Sequence, residues 1–153
     1  ASFVKVLGEN YEKYIDDIKK FDITAILLTH CHIDHIASAH LFDAPIYMSK
    51  IDAINIKDNR INLSNTFGIP FIFPSNNIIG LDDETLSLNN LKIECILTPG
   101  HTSGGMCFLI NDSLFSGDTL FQVGIGRTDF PTGNMNDLKK SLLSIKSVRL
   151  NDL

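Results

Sequence analysis

The feature that most constrains this chain is a short apolar run that leads directly into a cluster of histidines. Residues 23–29 are aliphatic and β-branched with no polar alternation, which is typical of a strand covered on both faces. The run continues into Thr29-His30-Cys31-His32-Ile33-Asp34-His35, which holds three of the five histidines in the chain. The sequence therefore predicts a buried sheet with metal-ligating side chain types at the end of one strand.

The spacing within this cluster predicts a metal site. In an extended segment, residues two apart project to the same side, so His30 and His32 converge while Cys31 turns away. If a helix begins near Asp34, then Asp34 and His35 lie close to the first pair but point to a neighbouring position, which suits a second ion. Imidazole nitrogens and carboxylate oxygens are ligands that zinc accepts. An exposed turn is the alternative for a lone His-x-His pair, and the added Asp-His pair favours the metal site.

Two later segments offer further ligands after predicted strands. Strand 91–97 is followed by TPGHT, in which the Pro-Gly turn presents His101. Strand 113–115 is followed by SGDT, in which Gly117 permits a tight bend that presents Asp118. The two oxygens of Asp118 can serve two cations and offset their mutual repulsion, so we expect this carboxylate to bridge two ions.

Composition and charge narrow the class of protein. A length of 153 residues suits a single domain over residues 1–153, and 44% hydrophobic with 20% charged residues is a globular composition. The net charge of −5 and the lack of a basic run argue against a nucleic-acid partner. The longest apolar runs fall far short of the roughly 20 residues that span a bilayer, so we expect a small-molecule substrate and no membrane partner.

Cysteine usage and the first residues bear on localisation. Three cysteines give no disulfide framework, and the first five residues lack the layout of a signal peptide, so we expect a cytoplasmic protein. Cys95 and Cys107 fall in predicted strands and are expected to be core thiols.

Hydrophobic periodicity predicts the remaining elements. Helices are expected at residues 9–21, 36–42, 52–59 and 135–147, the last with Asn134 or Asn136 as its N-cap. Strands are expected at residues 23–29, 45–48, 85–88, 91–97, 106–110 and 113–115, with two-residue turns at Asn89-Asn90 and Asn111-Asp112. Residues 63–77 contain Pro70 and Pro74 and are expected to form an irregular, aromatic-lined loop.

The ordered motifs THCHIDH, TPGHTSGG, FSGDTLF and GIGRTDFPTG resemble those of the metallo-β-lactamase superfamily, and within it the glyoxalase II-like (hydroxyacylglutathione hydrolase-like) branch. The resemblance covers about residues 23–133 and implies an α/β (α+β) fold, the αββα four-layer sandwich. It implies two Zn²⁺ ions as cofactors, with His30, His32 and His101 on the first metal. It further implies that Asp34 and His35 bind the second metal and that Asp118 bridges the two.

Two departures from the family pattern accompany this resemblance. The family has a last metal-binding histidine on a strand beyond the helix at residues 135–147, whereas no histidine follows His101 here. The family also begins with β-strands that would precede Ala1. We therefore expect an incomplete sandwich, either a fragment of a longer protein or a truncated product, with the second metal site incomplete within this chain.

The resemblance implies hydrolysis of a thioester, such as S-(2-hydroxyacyl)glutathione, by a metal-activated hydroxide. Asp34 is the expected catalytic residue, which orients the water and accepts its proton. The single-domain pattern differs from that of the two-domain enzymes, whose helical C-terminal domain binds glutathione. Within GRTDF, Arg127 either pairs with Asp129 to hold the loop or binds an anionic substrate.

Two alternatives come from other classes of protein. The GRTDF segment also resembles persulfide dioxygenases, in which one Fe²⁺ would be held by His30, His101 and Asp118. Cys31 inside the first motif favours this oxidoreductase, whereas the Pro131-Thr132 pair after GRTDF favours the hydrolase. A non-catalytic metal-binding domain is the third class.

Overall fold

The computed structural model describes residues 15, 17–68, 71–74 and 77–150. In chain order the elements are β1 (Ile26–Leu27), α1 (Ile33–Ile36), a 3-10 turn (Ala39–Leu41), β2 (Ile46–Ser49), α2 (Lys50–Asn55), β3 (Ile78–Leu81), β4 (Glu84–Leu88), β5 (Leu91–Leu97), β6 (Met106–Ile110), β7 (Ser113–Phe115), β8 (Leu120–Phe121), β9 (Gly124–Ile125) and α3 (Met135–Leu150). Within these ranges, every helix is too short or too polar to cross a membrane.

The strands form two main sheets with different pairing. Strands β1, β2 and β3 are parallel and lie in that order, whereas β4, β5, β6 and β7 form an antiparallel meander. Ile46 and Met48 of β2 pack in one apolar core with residues of α1 and the segment after α2. Tyr47, between them in β2, packs on a second core with residues of β5 and β6. The parallel sheet therefore has helices on one face and the antiparallel sheet on the other, as a layered α/β fold requires.

The meander agrees closely with the prediction. Strands β5, β6 and β7 have the predicted bounds, and β4 begins one residue earlier than expected. Asn89 and Asn90 have φ angles of 49° and 66°, which is the left-handed geometry of a type I′ hairpin turn. Asn111 has a φ of 52° in the second two-residue turn. These angles confirm both predicted turns. Asparagine adopts this backbone region more readily than most residues, which is why it occurs at these positions.

The parallel half differs more from the prediction. Strand β1 is two residues long rather than seven, and it pairs with β2 at the edge of the parallel sheet. The helix expected to begin near Asp34 and to continue over residues 36–42 is divided into α1, which begins at Ile33, and a separate 3-10 turn. Ile33 N–H donates to Asn62 O at 2.8 Å at the start of α1. Strand β3 and the β8–β9 hairpin were not predicted. Most of the helix expected at residues 9–21 lies outside the described residues, although Asp17 and Ile18 are helical.

Helix α3 supports the loop that follows β5. The carbonyl of the Asn134 side chain accepts from the N–H groups of residues 136 and 137, so Asn134 is the N-cap. Gly100 has a φ of +144°, and a Cβ there would lie 2.4 Å from the backbone of Leu138. The Ser141 hydroxyl donates to Pro99 O at 2.8 Å. These contacts fix the backbone beside His101 against the helix.

Candidate metal centre

The site lies where β1 leaves the parallel sheet and two loops of the antiparallel sheet meet it. Met106 N–H at the start of β6 donates to Thr29 O at 2.8 Å, which joins the two sheets at this point. Gly117, with a φ of +52°, lies so near that a Cβ would be 2.3 Å from Thr29 Oγ1. Glycine therefore permits both the bend and the close approach that bring Asp118 to the end of β1.

Three histidines form a first cluster. His30, His32 and His101 are buried, and one ring nitrogen from each lies within 4.8 Å of the others. His101 Nε2 and His32 Nδ1 lie 3.0 Å apart. Ligands about 2.0–2.1 Å from a tetrahedral ion lie roughly 3.3 Å apart, so this spacing fits a shared ion.

A second cluster contains His30 again, together with His35 and Asp118. His35 Nε2 lies 3.2 Å from Asp118 Oδ1, yet this nitrogen has no partner with hydrogen-bond geometry among the described residues. Two ligands of one ion would lie this close together without forming a hydrogen bond to each other. Asp118 Oδ2 lies 3.7 Å from His101 Nε2, so the carboxylate has one oxygen near each cluster. That arrangement suits a bridging group.

Asp34 lies beside the second cluster but not within it. Its Oδ2 atom is 3.5 Å from His35 Nε2, and its side chain is 54% exposed. The helix that begins at Ile33 places Asp34 and His35 in one turn, as the sequence predicted. The structure nevertheless groups His35 and Asp118 with His30 rather than with Asp34. The carboxylate of Asp34 is thus the most solvent-accessible acid at the site.

The GRTDF segment supports the site through its backbone. His101 Nδ1 lies 2.7 Å from the carbonyl oxygen of Arg127, a contact in which the nitrogen donates and which fixes the ring so that Nε2 faces His32. The Arg127 guanidinium pairs with Asp129 and lies 4.1 Å from the centre of the Phe130 ring. Hydrogen bonds from Arg127 lower the pKa of Asp129 to about 2. The structure therefore contains the Arg127–Asp129 pair, which the expected role of Arg127 in holding the loop requires.

Cys31 and His40 belong to neither cluster. Cys31 is fully buried in the apolar core beside Leu28, so the prediction that it turns away from the site is confirmed. Burial, and then the nearby charge of Asp52, raises the pKa of the Cys31 thiol. The His40 ring packs 5.7 Å from that of Phe71.

Sequence reasoning missed Asp52, which lies in α2 and is fully buried. Its carboxylate accepts from Cys31 N–H at 3.1 Å and from the Thr102 hydroxyl at 2.8 Å. Burial raises the pKa of Asp52, and these hydrogen bonds act in the opposite direction. Ser49, three residues earlier, caps α2 by accepting from Asp52 N–H. The S-x-x-D spacing signals a helix start, but nothing in the sequence indicates that the acid points inward.

Comparison with known proteins now identifies the family. The family model of the metallo-beta-lactamase superfamily matches residues 6–152. The chain belongs to this superfamily, as the fold and the ordered histidine motifs had indicated.

Particular relatives refine the comparison. The chain is 36% identical over 131 residues to the probable polyketide biosynthesis zinc-dependent hydrolase PksB of Bacillus subtilis. The match covers 82% of this chain and 52% of that protein. It is 34% identical over 155 residues to the hydroxyacylglutathione hydrolase GloC of Haemophilus influenzae, across 95% of this chain and 73% of that one. The crystal structure of the BLEG-1 B3 metallo-beta-lactamase matches with a TM-score of 0.76 and 30% identity, over 89% of this chain and 70% of that one. The chain thus spans about half the length of PksB.

Proposed function

We propose that the protein is a metal-dependent hydrolase that cleaves a thioester, such as S-(2-hydroxyacyl)glutathione. The observation that carries the proposal is the pair of clusters that share His30, with one oxygen of Asp118 near each. Buried imidazoles together with a carboxylate are a donor set that suits zinc, and Fe²⁺ is the alternative.

Each residue has a defined part in this proposal. His30, His32 and His101 would hold the first ion, Asp34 and His35 would hold the second, and Asp118 would be a ligand of both. The two clusters support these parts, with two differences: His30 belongs to both clusters, and Asp34 lies at the exposed margin of the second.

The ions and the residues of the chain have different parts in the proposed reaction. When bound, the ions lower the pKa of a water molecule and stabilise negative charge on the carbonyl oxygen of the substrate. Asp34 is exposed to solvent at the site, so its carboxylate can orient an incoming water and accept its proton. The Arg127 carbonyl keeps the His101 ring in one orientation. A thiolate leaves readily, so a thioester needs no separate general acid.

The relatives support the two levels of the proposal unequally. PksB is named as a zinc-dependent hydrolase, which supports metal-dependent hydrolysis. GloC is named as a hydroxyacylglutathione hydrolase, which supports the thioester and the glyoxalase II-like branch. Identity near one third leaves the acyl group and the thiol carrier for substrate profiling to define.

A second candidate function is oxidation of a persulfide by dioxygen at one Fe²⁺ ion that His30, His101 and Asp118 would hold. The 3.7 Å approach of Asp118 Oδ2 to His101 Nε2 favours it, because it brings a carboxylate near a histidine of the first cluster, and His30 belongs to both clusters. Cys31 contributes nothing on the site side, since its thiol lies in the core. Metal analysis of the full-length natural protein, purified without chelator, separates the two: close to two zinc ions per chain support the hydrolase, and a single iron supports the dioxygenase.

The catalytic role of Asp34 gives a direct test. We expect Asp34→Asn to keep the fold but to lower kcat for S-lactoylglutathione by about 100-fold or more, because the amide cannot accept the proton. Thiol release measures turnover, and circular dichroism measures folding. Asp43→Asn is the matched control, since Asp43 is an exposed acid just after the 3-10 turn. Near-normal turnover in Asp34→Asn would contradict the role.

A further inference from the structure

The two loops that carry the first histidine cluster are joined by one buried side chain. The N–H of Cys31, between His30 and His32 in the chain, donates to Asp52 Oδ2 at 3.1 Å. The hydroxyl of Thr102, directly after His101, donates to the same oxygen at 2.8 Å. Asp52 thus lies behind the cluster and contacts both loops through neighbours of the histidines.

The surroundings of Asp52 are arranged around its carboxylate. Its second oxygen, Oδ1, accepts from the Asn55 side chain at 3.1 Å, and the same Asn55 nitrogen lies 3.3 Å from Ser103 Oγ. The Ser49 hydroxyl donates to Gly104 O. A Cβ on Gly104 would lie 2.4 Å from Asp52 Oδ1, so glycine lets the loop backbone lie directly against the acid. The start of α2 is therefore tied to the loop after His101 at several points.

We propose that Asp52 is a positioning residue that sets the separation between the His30–His32 segment and His101, and thereby the metal affinity of the first cluster. This inference rests on the proposed function. Asp52 acts through its hydrogen bonds with the backbone of Cys31 and the side chain of Thr102, which are chain neighbours of the histidines. A carboxylate fits this part because it accepts at both oxygens and has no donor to oppose the three groups around it.

The test compares variants that remove one acceptor or one donor. In Asp52→Asn, an amide donates at one of the two positions where the carboxylate accepts, so one buried donor loses its acceptor. Thr102→Val keeps the shape of the side chain but removes its hydroxyl. Asp82→Asn is the matched control, because Asp82 is an exposed acid paired with Lys50 on the other side of the α2 start.

Co²⁺ affinity, measured by chelator competition on the full-length natural protein, is the first readout. The visible absorption of bound Co²⁺, which reports ligand geometry, is the second. We expect Asp52→Asn and Thr102→Val to weaken Co²⁺ binding about tenfold or more and to change the absorption spectrum, because partners behind a metal site typically have effects of this size. Asp82→Asn should match wild type in both readouts.

The outcomes separate this inference from the proposed function. Unchanged Co²⁺ affinity and spectrum in both variants, even with a lower melting temperature, would overturn the positioning role and leave the proposed function intact. A wild-type protein that binds no Co²⁺ would overturn the proposed function and this inference together. If Asp52→Asn does not fold, Thr102→Val decides, because it deletes a single hydrogen bond.

Discussion

The Cys31 side chain lies in the apolar core, whereas the side chains of His30 and His32 on either side of it lie at the metal centre. All three thiols, Cys31, Cys95 and Cys107, are buried. Burial is the largest cause that raises their pKa values, and the pKa of Cys95 reaches about 11. Because the thiolate is the reactive form, each of these groups should be inert in the folded protein.

The thiols therefore provide a prediction at the residue scale. At pH 8, a pKa of about 11 leaves about one thiolate in a thousand at Cys95. Burial also raises the pKa values of Cys31 and Cys107, so we expect all three cysteines to react slowly with DTNB in the native protein. In guanidinium chloride, all three should react at the rate of a free thiol. Mass spectrometry of labelled peptides identifies each site. Fast labelling of Cys31 in the native protein would contradict its burial and would support a role for this thiol in the persulfide dioxygenase alternative.

Residue-scale reasoning found most of the site because alternation in an extended segment is a local property. His30 and His32 face one way and Cys31 the other for geometric reasons that the sequence alone contains. Asp52 could not be found in this way. Its inward orientation depends on Cys31 and Thr102, which lie 21 and 50 residues away in the chain. No local pattern records such contacts.

At the scale of elements, the structure distinguishes the two asparagines that the sequence offered as the N-cap of α3. Asn134 Oδ1 accepts from residue 136 N–H at 2.9 Å and from residue 137 N–H at 3.2 Å. We expect Asn134→Ala to lower the free energy of unfolding by about 1 kcal/mol, because these donors lose their acceptor. Urea denaturation followed by circular dichroism measures the change.

Asn136→Ala is the control for this cap, and it should stay within about 0.5 kcal/mol of wild type, as exposed substitutions usually do. Equal losses in the two variants would show that the asparagine at position 134 does not cap the helix.

The meander was predicted well and the parallel sheet less well for a physical reason. Strand β4 pairs with β5, and β6 with β7, through two-residue asparagine turns, so the strand pattern and the turns are both local signals. Strand β3 pairs with β2, some thirty residues earlier, and β1 pairs only over two residues. Such short parallel strands exist because the tertiary fold aligns them, and intrinsic propensity does not mark their ends.

At the scale of the whole molecule, the metal centre and the fold depend on each other. The clustered ligands come from the segment after β1, helix α1, the loop after β5 and the loop after β7. An unfolded chain does not hold these segments together, so an ion at the site binds the native state and stabilises it. The melting temperature of the full-length natural protein should therefore depend on metal.

Removal of metal makes this dependence measurable. An ion present at about 100 times its dissociation constant adds about 2.7 kcal/mol of stability. For a domain of this size, one kcal/mol shifts the melting temperature by about 2–4 °C, so we expect EDTA to lower it by roughly 5–11 °C. Added zinc should restore the original value.

Two histidine variants show whether this shift arises at the proposed centre. His101→Ala should lose most of the difference between the metal-loaded and EDTA-treated melting temperatures, because it removes a first-cluster ligand. His40→Ala should keep that difference, even if its absolute melting temperature falls, because the His40 ring packs against Phe71 rather than at the site. An equal EDTA effect in the two variants would mean that the ion binds elsewhere, and no EDTA effect in wild type would mean that the fold does not depend on metal.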